Sequence, residues 1–136
     1  MTPTRDREEA GVRTVIAVGV AGSVGAVARY GIEGFVGQRT GGSFPWGTFV
    51  VNISGSFLVG LMFALLIEGR VIMAPWLRTA ATIGLVGAYT TFSTLSLETF
   101  RLIEDGAYLT AGMNMLGSLA VGLVAVYLGV VVGRLV

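Results

Sequence analysis

Cysteine, histidine and lysine are all missing from the 136 residues, so the nine basic side chains are all arginine. Without cysteine there are no disulfides and no thiol chemistry. Without histidine there is no Ser-His or Cys-His catalysis, no imidazole-ligated metal and no histidine pH switch. Charged residues make up only 12%, and the net charge of +1 carries no argument for nucleic-acid binding. No glycine-rich nucleotide motif is present.

What is present in quantity is apolar. Hydrophobic residues are 54% of the chain and the mean hydropathy is +0.80, values of an integral membrane protein. Four runs reach the roughly 20 residues needed to cross about 30 Å of hydrocarbon: roughly 13–36, 47–67, 76–99 and 107–136. The expected fold is all-α, with residues 13–136 forming one four-helix transmembrane domain. Residues 1–12, where Arg5, Asp6, Arg7, Glu8 and Glu9 mix signs, read as a solvated polar tail without defined structure. Ala26-Val27-Ala28 imitates a signal-peptide cleavage site, but acidic residues before the run and Arg29 after it argue against that reading. Four helices fill their own centre with side chains, which argues against a water-lined route through a single copy and makes an oligomer the expected state.

Gly19, Gly22, Ser23, Gly25 and Ala26 give the first span a small-residue face for helix contact. Arg29 has two readings, a side chain snorkelling to the headgroups or a positive vestibule that attracts anions. Phe44-Pro45-Trp46 and Ala74-Pro75-Trp76 mark helix entries at the membrane interface. Thr48, Asn52 and Ser56 recur at i, i+4 and i+8, as do Thr110, Asn114 and Ser118; Thr91, Thr94 and Glu98 share a face of the third span. Each set is either helix-to-helix glue or a polar rail for a permeating solute. The stretch Gly84–Glu98, GLVGAYTTFSTLSLE, predicts an interruption of the third helix at membrane depth, because such backbone is tolerated only where protein or a watery path satisfies it. Opposed half-helix ends there suit small ions. Phe92 either fills space or turns its electropositive ring edge to an anion.

GSVGAVARY (residues 22–30), GTFVVNISGSFLVG (47–60) and GAYTTFSTL (87–95), in that order within a four-span chain, resemble the signature blocks of the CrcB/Fluc fluoride channels. The resemblance covers essentially the whole membrane portion. It implies an antiparallel, dual-topology dimer of inverted subunits in the cell membrane, with two fluoride pores at the interface and a structural sodium ion on the two-fold axis. It further implies that backbone carbonyls of Gly87 and Thr90 hold sodium and that Asn52 donates to fluoride. Phe92 matches the first of two pore phenylalanines, while Thr48, Ser93, Thr94, Glu98, Asn114 and Ser118 fall on or beside the rails and Arg29 matches the first-helix arginine. Leu95 departs from the pattern, standing where the family block usually has its second phenylalanine.

Two other functions compete. A small multidrug-type, proton-coupled transporter also uses four spans and inverted dimers, with Glu98 as its carboxylate; a non-transporting scaffold would use every polar residue as glue. The arginines bear on assembly. Arg5, Arg7, Arg13, Arg70, Arg78 and Arg134 fall on one side and Arg29, Arg39 and Arg101 on the other. That excess leans toward a cytoplasmic N-terminus, and an inverted homologous subunit in a heterodimer is the alternative to a homodimer.

Overall fold

A computed structural model describes residues 3–136, with side chains from Arg7 onward. The first helix, α1, covers Pro3–Thr40. Residues 3–12 are therefore helical, which corrects the expectation of an unstructured tail over that stretch; Met1 and Thr2 lie outside the described residues. Residues 7–12 are exposed on the single copy. Nothing in 3–12 breaks a helix after Pro3, and the apolar run behind it propagates the helix backwards, which is far easier than nucleating one.

α1 ends where Gly41 and Gly42 take φ of +59° and +83°, a left-handed conformation that side chains other than glycine resist. Pro45 precedes α2 (Trp46–Ile67), whose entry is anchored by an aromatic cluster of Phe44, Trp46 and Phe49 with centroids 4.5–5.8 Å apart. Pro75 opens α3 (residues 75–89) in the first turn, where its missing N–H costs nothing. Thr90 and Thr91 are extended (ψ 156° and 115°), and α4 follows over Phe92–Glu104. A tight turn at Gly106 leads to α5 (Tyr108–Leu135). Four segments, 7–40, 46–67, 75–104 and 108–135, are long and apolar enough to cross a membrane, a multi-pass arrangement.

Glycine sets how the helices approach. α2 packs most extensively on α5: a Cβ at Gly60 would run into the Val126 carbonyl, one at Gly129 into the Phe57 carbonyl and one at Gly133 into the Ala64 methyl. α1 lies on α3 in the same manner, Gly25 against the Leu85 carbonyl and Gly84 against that of Val18. Part of the expected small-residue face of α1 is thereby used, whereas Gly19 faces open space. Lipid tails are as apolar as the helices, so such contacts stabilise through close packing rather than water exclusion.

Wider π-type turns occur over Phe63–Ile67, Ala80–Val86 and Met113–Gly117. Each rotates the following residues off the 3.6-residue period. In α5 this separates Thr110, which lines a groove with Phe44, Trp46 and Phe49, from Ser118, which lines another with Asn52. The three-residue rail expected in the last span is thus split. At the membrane ends, the Arg13 guanidinium sits 5.4 Å over the Trp76 ring, and Arg134 forks onto Glu68 at 2.5–3.2 Å.

Replacing Gly129 by Ala is expected to destabilise the fold by about 1–3 kcal/mol through overpacking. Gly112→Ala, which meets open space, should change stability by less than about 1 kcal/mol; thermal unfolding in detergent compares the two. The Arg134 hydrogen bonds hold the Glu68 carboxyl below its ordinary range. A lowered carboxylate stabilises above its unfolded value and loses that contribution as pH falls through its folded one. The unfolding midpoint should therefore drop more below about pH 4 in the wild type than in Glu68→Gln.

Candidate functional site

The site is built on the two extended residues between α3 and α4. In a continuous helix the Thr91 N–H would bond the Gly87 carbonyl and the Thr94 N–H the Thr90 carbonyl. Here the Thr91 N–H donates instead to Asn52 Oδ1 at 2.8 Å, and the Thr94 N–H donates to Thr91 Oγ1 at 3.2 Å. The carbonyls of Gly87 and Thr90 are thus among the four, 87–90, that lose their helical donors at this point, and Gly87 lies at the surface. Asn52 closes the loop from its other side, its Nδ2 donating to the Thr91 carbonyl at 3.0 Å. Because one amide end meets an N–H and the other a C=O, its orientation is fixed. The second Nδ2 hydrogen remains for another acceptor.

Asn52 borders a groove of about 410 Å³ between α2, the extended residues and α5, lined also by Ser56, Thr90, Thr91, Phe92, Leu95 and Ser118. Phe92, first residue of α4, is 74% exposed, whereas Leu95 is buried. Thr91 caps α4 and bonds Thr94 Oγ1 at 3.0 Å and Ser93 Oγ at 3.2 Å. Ser118 is buried in the groove wall, and its Oγ has no partner among the described residues.

A second polar pocket of about 230 Å³ lies at the N-terminal end of α2, lined by Glu33, Thr48 and Glu98 with the 41–45 turn. Thr48 Oγ1 donates to Glu98 Oε1 at 2.7 Å. Glu98 Oε2 and Glu33 Oε1 are buried without partners among the described residues. Arg29, half-buried on α1, is one turn before Glu33 and lines neither cavity. Asn114, fully buried, donates through Nδ2 to Thr99 Oγ1 at 3.0 Å. Since Thr99 gives its own proton to the Leu95 carbonyl, Asn114 Oδ1 is left unpaired. No cluster of three acidic, histidine or cysteine side chains exists among the described residues.

The profile of the family described as "CrcB-like protein, Camphor Resistance (CrcB)" matches residues 16–130. The chain belongs to the CrcB family. Among its relatives is a protein named fluoride-specific ion channel FluC in Geobacter sulfurreducens, 45% identical over 121 residues, which span 89% of this chain and 97% of that one. Proteins of the same name in Geotalea daltonii and Magnetococcus marinus are 46% and 45% identical over 123 and 119 residues, covering 90% and 88% of this chain and 98% and 96% of theirs.

For this CrcB family member, the site brings Asn52, Thr90, Thr91, Phe92, Leu95 and Ser118 together, and places Thr48 with Glu98 elsewhere. Among the pairings that sequence reasoning missed are Thr99 with Asn114, Ser54 with Tyr89 at 2.8 Å, and the shared pocket of Glu33 and Glu98. Only the last had a readable signal, because the topology puts the end of the first span and the end of the third on one side.

Asn52→Leu keeps the volume and removes both bonds to Thr91, leaving a peptide N–H and C=O unpaired. The expected loss is about 2–4 kcal/mol, accompanied by faster hydrogen exchange at the Thr91 amide, while amides in the middle of α2 and α5 stay protected.

Proposed function

We propose that the protein is a passive fluoride channel of the cell membrane. The observation that carries this is the near full-length match to relatives named fluoride-specific ion channels. The working unit is an antiparallel dimer of inverted copies, with two pores at the interface and a structural sodium ion where the two interrupted third spans meet. The reading of the third span as broken is supported by the extended backbone at Thr90 and Thr91. Assembly is supported by apolar surface left open on a single copy, including Phe92, Val20, Val24 and Leu119; lipid or a second subunit must cover it.

Fluoride is small and tightly hydrated, so entering hydrocarbon requires donors that replace water in sequence. Asn52 offers its second Nδ2 hydrogen and Ser118 its hydroxyl to the same groove. The exposed Phe92 ring can present its electropositive edge there. Thr48 and Glu98 flank the other pocket, where the carboxylate holds the threonine hydroxyl in a fixed direction. No charged donor lines the central groove, which favours passage over tight capture.

The residues at the interruption fit sodium. The Gly87 and Thr90 carbonyls are hard, neutral oxygens whose helical donors are taken by Asn52 and Thr91, and the exposure of Gly87 leaves room for an equivalent set from a second copy. When bound, sodium supplies a fixed positive charge in a region otherwise lined by carbonyl dipoles. Asn52 holds the loop open, and Thr91 keeps the α4 N-terminus capped.

Liposomes containing the purified protein should release fluoride, read by a fluoride electrode, and retain chloride. An absence of fluoride release from pure protein, alone or with an inverted homologue, removes this reading. Ser118→Ala is expected to slow release by about tenfold without lowering the unfolding midpoint, since its hydroxyl has no partner among the described residues to lose; one charge-assisted hydrogen bond to an anion is worth that much.

A further inference from the structure

The interruption is held by α2 at more points than Asn52 alone. Tyr89, the last helical residue before the extended pair, is buried, and its hydroxyl lies 2.8 Å from Ser54 Oγ. Ser54 has one proton, and its Oγ sits 2.7 Å from the Val50 carbonyl and 3.1 Å from that of Val51. With that proton committed to its own helix, the serine oxygen is the acceptor and the Tyr89 phenol the donor. A buried phenol in an apolar surround needs such a partner. Between the two anchors, Gly55 admits the Thr90 side chain: a Cβ there would overlap Thr90 Cγ2 and press the Tyr89 ring at 3.1 Å.

One turn of α2 therefore grips three consecutive residues. Ser54 takes the Tyr89 side chain, Gly55 receives Thr90, and Asn52 takes the Thr91 peptide. The Thr90 carbonyl sits between the outer two anchors, and the Gly87 carbonyl is one turn back in the segment that Tyr89 terminates. We propose that Ser54 and Tyr89 are a positioning pair that fixes the direction of these carbonyls and thereby sets the affinity of the interruption for sodium. This rests on the sodium site proposed above. With Asn52 as the only polar anchor, the 89–91 peptides could pivot about it, and oxygens that must be reoriented on binding hold a cation less tightly than oxygens already aligned.

The test is sodium-dependent thermal unfolding of the purified full-length protein in detergent, with sodium chloride exchanged for N-methylglucamine chloride at constant ionic strength. A ligand that binds the folded state raises the midpoint according to its concentration relative to its dissociation constant. Wild type should show a rise with sodium. Tyr89→Phe, which keeps the ring, should need about fivefold more sodium for the same rise, the equilibrium equivalent of one net hydrogen bond. Ser54→Ala should shift the curve equally, and the double variant no further than either single one.

A Tyr89→Phe or Ser54→Ala curve lowered by the same amount at every sodium concentration means a purely structural bond and overturns the proposal. A wild-type midpoint indifferent to sodium, with fluoride release intact, overturns the sodium site and this inference with it, but not the channel. Loss of fluoride release in the wild type, with the sodium response retained, instead sinks the channel reading and leaves the positioning pair standing.

Discussion

A peptide group inside hydrocarbon has no water to turn to, and this constraint governs the third span. When the chain leaves helical geometry at Thr90 and Thr91, an N–H and a C=O must find partners elsewhere, and Asn52 supplies both from a neighbouring helix. The consequence runs backwards along the chain. Because the Thr91 and Thr94 amides are occupied by side chains, the carbonyls of Gly87 and Thr90 are released from helical duty. One half-buried amide thus converts an energetic liability into a set of available oxygens.

That amide can reach Thr91 only because the frame around it is closely packed. Gly55 lets α2 meet the extended residues, while Gly60, Gly129 and Gly133 bring α2 and α5 within backbone contact. The same proximity places Ser118 of α5 across the groove from Asn52. Small residues therefore do more than pack; they set the width of the space in which the polar groups face each other. The groove is open along one side and edged by the exposed Phe92 ring, an unfinished surface that fits the proposed pairing of inverted copies.

Much of the site was legible in the sequence because its members are polar residues in apolar runs, where each must be explained. Asn52, Thr91 and Ser118 stand out for that reason, and the glycines around position 87 precede the two extended residues. The polar rails were less well read. Their i, i+4, i+8 spacing assumes an ideal helix, and the π-type turn over Met113–Gly117 moves Thr110 away from Ser118. The tail was misread for a related reason: charge composition does not report whether an adjoining helix extends through the segment.

The sequence by itself determined the class of molecule, the four spans and the family, because length, hydropathy and ordered motifs are properties of the chain taken one residue after another. Tertiary structure alone decided which hydrogen-bonding groups satisfy each other. Asn52 could have bonded any neighbouring helix, Tyr89 could have been simple filling, and Glu98 could have stood alone rather than beside Thr48 and Glu33. The choice depends on helix rotation and on approach distances of a few ångströms, set by glycines remote in sequence from the groups they bring together.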